Sequence, residues 1–308
     1  MKVLVLSEHD VEELLTMEEC IGVMEDALAA LARGEVHNPL RQAIRAPGAS
    51  GLLGLMPAWR SGGGTPYYAL KEVCVFPENP KRGLDTHLGA VILHSGETGE
   101  PLAFMNAAAI TAIRTAAVSA VATKLLARED ASVLAILGTG AQGKSHRVAI
   151  PLVRSIREIR MCGRGDSVEE AVRGADIIVT ATSSREPILR REWISPGAHI
   201  NAVGSSIAAA RELDGATVAA ASLFVDRRES TVNESGDYLF ALREGAISGP
   251  EHIRAELGEI LAGSAAGRTS PDEITLFKSL GLAIEDLASA AFLYEKAQRL
   301  RRGLVVDF

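Results

Sequence analysis

Cysteine is scarce in this chain. Cys20, Cys74 and Cys162 stand far apart, are odd in number and form no CxxC pair. A disulfide framework and a structural zinc site are therefore not expected, and a reducing cytoplasm is the expected compartment. Aromatic residues make up only 4%, so small aliphatic side chains must fill the core, and 29 glycines suit close helix-on-sheet packing. Positive charge is also in deficit: 32 Lys and Arg against 39 Asp and Glu, for a net charge of −7. The nearest approach to a basic cluster is Arg299, Arg301 and Arg302. A nucleic-acid surface needs more positive charge than this, and clustered, so no nucleic-acid partner is expected. No stretch reaches the roughly 18 uninterrupted apolar residues of a membrane span. The opening MKVLVLSEHDVEELL reads as a strand and a helix start, not a signal peptide.

What is present follows two patterns. Residues 2–6 read as an edge strand, and 17–33 as a helix stopped by Gly34. Residues 51–76 read as strands with a turn at Ser61 and Gly62 to Gly64, followed by strands at 87–95 and 101–106 joined by a turn at 97–100. This first third is α+β with a mostly antiparallel sheet. After a helical stretch from Ala107 to Arg128 come a strand (133–137), a helix, a strand (157–162), a helix (168–173) and strands at 176–181, 198–203 and 223–225. Such alternation signals a parallel sheet covered on both faces. A helix at 281–303 is apolar enough to need a partner surface and is expected to return to the first domain.

Directly after the apolar strand VLAIL stands Gly138-Thr139-Gly140-Ala141-Gln142-Gly143, opening a helix. This is a dinucleotide fingerprint in its required context. Gly138 permits the tight turn, Gly140 leaves room for the pyrophosphate, and Gly143 lets helix and strand pack closely. Free N–H groups at the helix start would face the phosphates. At the end of the second strand, Met161-Cys162-Gly163-Arg164 offers no carboxylate, and Arg164 suits a 2′-phosphate. Asp166 is the acidic alternative if the loop curls back. The reading leans to NADP over NAD. Only Gly165 and Asp166 separate Arg164 from the next helix, too few residues for the usual crossover and third strand. The fold class is thus α/β: a Rossmann-type parallel-sheet domain at 116–283, and an α+β domain of 1–115 together with 284–308.

The first domain holds isolated basic residues in apolar surroundings: Arg41 after NPL, Lys71 within YYALKEVCV, and Arg114 within AITAIRTAAVSAVA. A buried cation needs a carboxylate, from the protein or from a substrate, and both sources stay open. Glu72 faces the opposite side of the strand from Lys71 and is a poor internal partner. Lys71 is accordingly expected against substrate rather than in an internal ion pair. His87 is a candidate cleft residue, His146 and Cys74 read as structural, and Asp226 is open between structure and ribose.

These residues carry a family resemblance. The segments ALKEV, RGLDTHLGAVIL with ETGEPLAFM, TAIRTAAVSAVAT, AILGTGAQGKSH, GADIIVTATSSREPIL, PGAHINAVGSS with RELD, and TSPDEITLFKSLGLAIEDLASA resemble the ornithine cyclodeaminase/mu-crystallin family over nearly the whole chain. The resemblance implies a homodimer in which the domain of 1–115 with 284–308 binds substrate and dimerises. It implies a carboxylate clamp of Arg41, Lys71 and Arg114. Beyond the fingerprint it implies cofactor contacts at Thr182, Ser183, Val203, Gly204, Ser205, Lys278, Ser279 and Gly281, with the FKSxG segment near the nicotinamide. One departure matters. Ser206 stands where ornithine cyclodeaminases place an aspartate, and serine cannot serve as a carboxylate base. The expected function is an NAD(P)H-dependent reduction of small 2-imino acids, closer to the reductase and dehydrogenase members. A cyclodeaminase and a non-enzymatic crystallin-like NADP-binding protein are the alternatives.

Overall fold

The computed structural model describes residues 1–61 and 64–308; the expected turn at Gly62 and Gly63 lies outside the described residues. The chain opens with β1 (Lys2–Leu6), α1 (Glu8–Leu14), α2 (Met17–Ala32), β2 (Val36–His37), β3 (Gln42–Ile44), β4 (Leu52–Arg60), β5 (Tyr67–Val75), β6 (His87–Ser95) and β7 (Pro101–Asn106). The long helix α3 (Ala107–Leu126) leads to β8 (Val133–Leu137), α4 (Ala141–Ala149), β9 (Glu158–Cys162), α5 (Val168–Val172), β10 (Ile177–Thr180) and β11 (His199–Ala202). Then come α6 (Gly215–Ala220), β12 (Ser222–Val225), α7 (Arg228–Glu234), α8 (Gly236–Arg243), β13 (Ile253–Glu256), α9 (Leu257–Leu261) and β14 (Thr275–Lys278). The chain ends with α10 (Ala283–Leu300) and β15 (Leu304–Asp307). Two compact units result: Met1–Arg114 with Leu282–Phe308, and Thr115–Gly281.

The first unit holds an 8-stranded sheet in the order β15-β1-β7-β6-β5-β4-β2, with β3 also on β4. Its neighbours are antiparallel except β1 and β7. The expected edge position of β1 is corrected. The terminal LVVD pairs with β1 as a further strand, so β1 lies inside the sheet. Strand alternation gives the sheet two faces. One register row runs Met56, Lys71, Val91, Met105, all buried. Helices α2 and α10 pack against each other, and α10 lies on the strands of this sheet. A capping box fixes the start of α2: Thr16 Oγ1 accepts the Glu19 N–H, and Glu19 accepts the Thr16 N–H. Glu19 also pairs with Lys296 of α10 at 2.6 Å.

The second unit holds a 7-stranded, wholly parallel sheet in the order β13-β12-β14-β11-β10-β8-β9. Leu134, Ile136, Ile177 and Val179 cluster on one face, and Ala135, Leu137, Ile178 and Ile200 on the other. Strands β13 and β14, unread in the sequence, belong to this sheet. Helix α3 is long and apolar enough to cross a bilayer, yet 72% of that stretch is buried within the protein, as in a core helix.

The second sheet has no third Rossmann strand. The chain passes from β9 across β8 to β10 through the short α5, leaving β9 at the sheet edge. Ile159 and Met161 pair with Leu134 and Ile136 and so share their face. On that face Val148, Leu152 and Ile159 are exposed. A second crossover helix would cover this ground in a full Rossmann half. Because solvent already reaches these side chains, Val148→Gln and Leu152→Gln are expected to change stability by no more than about 0.5 kcal/mol. Leu134→Ala, fully buried on the same face, should cost about 2–5 kcal/mol. Equilibrium urea unfolding checks both, and a large loss in the glutamine variants would mean that the patch is covered in solution.

Candidate functional site

Four charged side chains come together inside the first unit. Lys71 is centred in β5, and its side chain points to the face on which α10 lies, because its row is the buried one. The first turn of α10 presents Glu285 and Asp286, and carboxylates at a helix N-terminus are stabilised by its unpaired N–H groups and dipole. The Lys71 ammonium donates to Asp286 Oδ1 at 3.2 Å and Oδ2 at 3.4 Å. Arg114, from α3, donates through Nε to the same Asp286 Oδ1 at 3.2 Å and through a terminal nitrogen to Glu285 at 2.6 Å. All four side chains are at most 5% exposed. The Asn38 carboxamide oxygen accepts the Ile284 N–H at 2.8 Å and holds the start of α10 in place.

The expectation that Lys71 lacks an internal partner is corrected: Asp286 is that partner. Glu72 does face away, in the row of Leu55 and Ala90. Burial is the main influence on Lys71 and lowers its pKa to about 8, while Asp286 opposes the fall and Arg114 adds to it. Arg41 precedes β3, and continuing the Gln42–Leu55 register sets it opposite Met56, two strands from Lys71 in the same row. His87 lies further along that face and solvent reaches it; partial burial and then the Lys71 charge lower its pKa.

In the second unit the fingerprint occupies the carboxyl end of β8. Gly138 has φ +122°, and a Cβ there would stand 2.3 Å from the Ala181 carbonyl. A Cβ on Gly143 would stand 2.0 Å from the Gly138 carbonyl, so only glycine lets the helix approach the strand. Gly140 caps α4 without a side chain and has open space around it. Thr139, Gly140 and Ala141 are exposed and Gln142 partly so. The segment therefore fits a dinucleotide pyrophosphate: a bare backbone at Gly140, a helix N-terminus and no obstructing side chain there.

The neighbouring strand ends are strapped together. Glu212, fully buried, accepts from the Thr182 N–H at 2.6 Å, the Thr182 hydroxyl at 2.7 Å, the Thr180 hydroxyl at 2.7 Å and the Gly204 N–H at 2.8 Å. Burial raises its pKa against those bonds. This brings Thr182 and Ser183, after β10, beside Val203, Gly204 and Ser205, after β11. The Ser205 hydroxyl donates to the Ala210 carbonyl. Lys278 ends β14 and is buried with its ammonium 2.9 Å from Asp237, so its charge is compensated within the unit. Asp226 accepts the Leu280 and Gly281 N–H groups at 2.6 and 2.8 Å, fixing the turn that carries Ser279 and Gly281. That assigns Asp226 the structural side of its open reading.

Sequence reasoning missed Glu285, Asp286, Glu212 and Asp237. The first two carried a signal: two adjacent acids open an otherwise apolar helix in LAIEDLASA. His146 is buried between the Gln142 carbonyl and Ser119, and burial lowers its pKa to about 4, as fits a structural residue. Among the described residues no group of three His, Cys, Asp or Glu side chains could hold a metal ion.

Comparison with known proteins places this geometry. The model of the ornithine cyclodeaminase/mu-crystallin family matches residues 1–167 and 164–300, and the join falls at the turn where the crossover is missing. The structure of Thermococcus litoralis Delta(1)-pyrroline-2-carboxylate reductase in complex with NADH and L-proline is 39% identical, with a TM-score of 0.93 over 98% of this chain and 99% of that one. An archaeal alanine dehydrogenase dimer with bound NAD is 35% identical, with a TM-score of 0.93 over 100% of each chain. The ketimine reductase mu-crystallin of Mus musculus is 39% identical over 94% of this chain and 96% of its own length. Similarity is greater to such reductase and dehydrogenase members than to true ornithine cyclodeaminases.

The buried cluster carries a stability consequence. Removing one partner of a buried ion pair leaves the other uncompensated, so Lys71→Ala should destabilise the protein by about 3–5 kcal/mol. The double variant Lys71→Ala, Asp286→Ala should lose less than the two single losses added together. A double-mutant cycle in urea unfolding measures this, and simple additivity would mean that the pair is not coupled.

Proposed function

The chain belongs to the ornithine cyclodeaminase/mu-crystallin family, and on that premise we propose that Lys71 and Arg114, with Arg41, take the carboxylate of a small 2-imino acid for reduction. The protein is an NAD(P)-dependent oxidoreductase acting on small imino or amino acids. The observation that carries the residue assignment is the meeting of Lys71 and Arg114 on one buried carboxylate. The Arg114 guanidinium suits two-point recognition of a carboxylate. Lys71 has three N–H donors and, with its pKa near 8, can release a proton to the imine nitrogen near neutral pH. The nicotinamide supplies the hydride when bound, at the imine carbon. The product is the amino acid, with one proton gained at nitrogen. The test follows absorbance at 340 nm with NADH and a panel of cyclic imino acids and 2-keto acids with ammonia or methylamine. The expected outcome is one NADH consumed per amine formed. With a diamino acid such as ornithine in place of the imine, release of ammonia with no net absorbance change would point to cyclodeamination instead.

The reading extends to quaternary structure. The outer face of the first sheet carries Pro57, Leu70, Ile92 and Phe104 in one row, with Tyr68 and Leu88 exposed beside it. Such a face suits a second copy of the chain, and the alanine dehydrogenase dimer supports a homodimer. Three free cysteines suit a cytoplasmic setting.

The cofactor choice turns on the loop after β9. That loop does curl back: Gly165 has φ +97°, and Asp166 accepts the Gly163 N–H at 2.7 Å. A Cβ on Gly163 would lie 3.3 Å from Thr139 of the fingerprint and 3.5 Å from the Asp166 carboxylate. A carboxylate at this strand end suits a ribose 2′-hydroxyl and repels a 2′-phosphate. It favours NAD(H) over the NADP to which Arg164 alone pointed, and the relatives solved with NADH and NAD support that choice. Asp166→Asn should weaken NADH about tenfold, the order of one charge-assisted hydrogen bond, and should weaken NADPH far less. Fluorescence titration with both cofactors measures it, and equal effects would remove Asp166 from the ribose.

A further inference from the structure

Helix α10 does more than cover the sheet. Its first turn is the source of both carboxylates that meet the basic candidates, and the two acids divide the work. Glu285 meets Arg114, whereas Asp286 bridges Arg114 and Lys71 through one oxygen at 3.2 Å from each. Both acids are buried, so their placement follows from packing and not from chance surface contact. We propose that Asp286 is a positioning residue that holds the Lys71 ammonium, with Arg114 beside it, in the orientation that meets the substrate. The inference rests on the reading of Lys71 as the group that faces the imine.

The consequence is electrostatic. An opposite charge within about 4–6 Å favours the protonated lysine, and burial disfavours it. Asp286 is the main force keeping Lys71 charged as pH rises. The other groups acting on this cluster are Glu285 from α10, Arg114 from α3 and His87 from β6. Cys20 of α2, near Arg114 and Glu285, has its pKa raised to about 12 and stays neutral. If protonated Lys71 is the active form, wild-type turnover falls as pH rises through about 8. Without the Asp286 charge the same fall occurs at lower pH.

The experiment compares wild type, Asp286→Asn, Asp286→Glu and Glu285→Gln as full chains with cofactor, measuring kcat and KM for an accepted imino acid across pH. In Asp286→Asn the alkaline fall in kcat should move down by about one pH unit or more, so the loss at pH 8 exceeds the loss at pH 6 by about fivefold or more. Asp286→Glu keeps the charge but displaces it, so it should retain the wild-type pH limb with a lower kcat. Glu285→Gln should raise KM and move the pH limb less than Asp286→Asn does. A uniform loss across pH in a folded Asp286→Asn, or wild-type kcat in Asp286→Glu, overturns the proposal. Should Asp286→Asn not fold, Asp286→Glu decides. If wild type consumes no NADH with any imine, the functional reading fails on its own. The inference is then read from calorimetric binding of pyrrole-2-carboxylate, whose affinity should fall above about pH 8 in wild type and at lower pH in Asp286→Asn. An unshifted affinity profile overturns it.

Discussion

A buried charge must be answered by another charge, and in this protein Asp286 answers two. Lys71 reaches it from the middle of a sheet and Arg114 from a helix that is otherwise almost entirely apolar. Lys71 depends on it to stay buried as a cation, because the cost of an uncompensated ion in a protein interior is several kcal/mol, while Arg114 also has Glu285 at 2.6 Å. The constraint therefore runs through the first unit: β5 must turn Lys71 inward, Asn38 must hold the start of α10, and the chain must return after the second unit to deliver Leu282 onward. A cluster satisfied in this way gains little net stability over an apolar one. What it provides is a defined place for two cations in the interior.

The second unit solves a different problem with the same means. Parallel strands end together at one edge, and the loops leaving them are short and irregular, with backbone N–H groups that need partners. Glu212 satisfies the loops after β10 and β11, while Asp226 satisfies the turn after β14. Asp237 satisfies the N–H groups of Glu212 and Leu213 and pairs with Lys278. Three buried acids thus hold the cofactor-side loops. Two similar solved structures carry NADH or NAD, and in this chain the loops at this edge are fixed by hydrogen bonds from within the unit.

The shortened Rossmann half shows how a local omission is absorbed. The sheet loses an edge strand, not a central one, so the core around β8 and β10 is intact. The change shows at the margin, as exposed Val148, Leu152 and Ile159, and at the turn, where Asp166 folds back onto β9. The same omission that opens the sheet edge leaves an acid folded back at the end of β9.

The sequence by itself determined the parts whose physics is local. The fingerprint is legible because turn geometry, close approach and helix packing each demand glycine at a fixed spacing, and Gly138 and Gly143 meet the turn and packing demands expected of them. The parallel sheet was legible from apolar runs alternating with helical ones, and the basic residues at 71 and 114 stood out because burial makes a lone cation conspicuous. The family followed from the same segments. The terminal strand β15 was not legible, since four residues become a strand only when β1 offers an edge. Nor were the partners of the buried charges. Asp286 lies 215 positions from Lys71, and periodicity within β5 shows which way the lysine points but not what waits there. The fold-back of Asp166 is not legible either, because the curl of a glycine turn is a backbone choice. Charge compensation acts through space, and only the tertiary structure decides which distant residues share it.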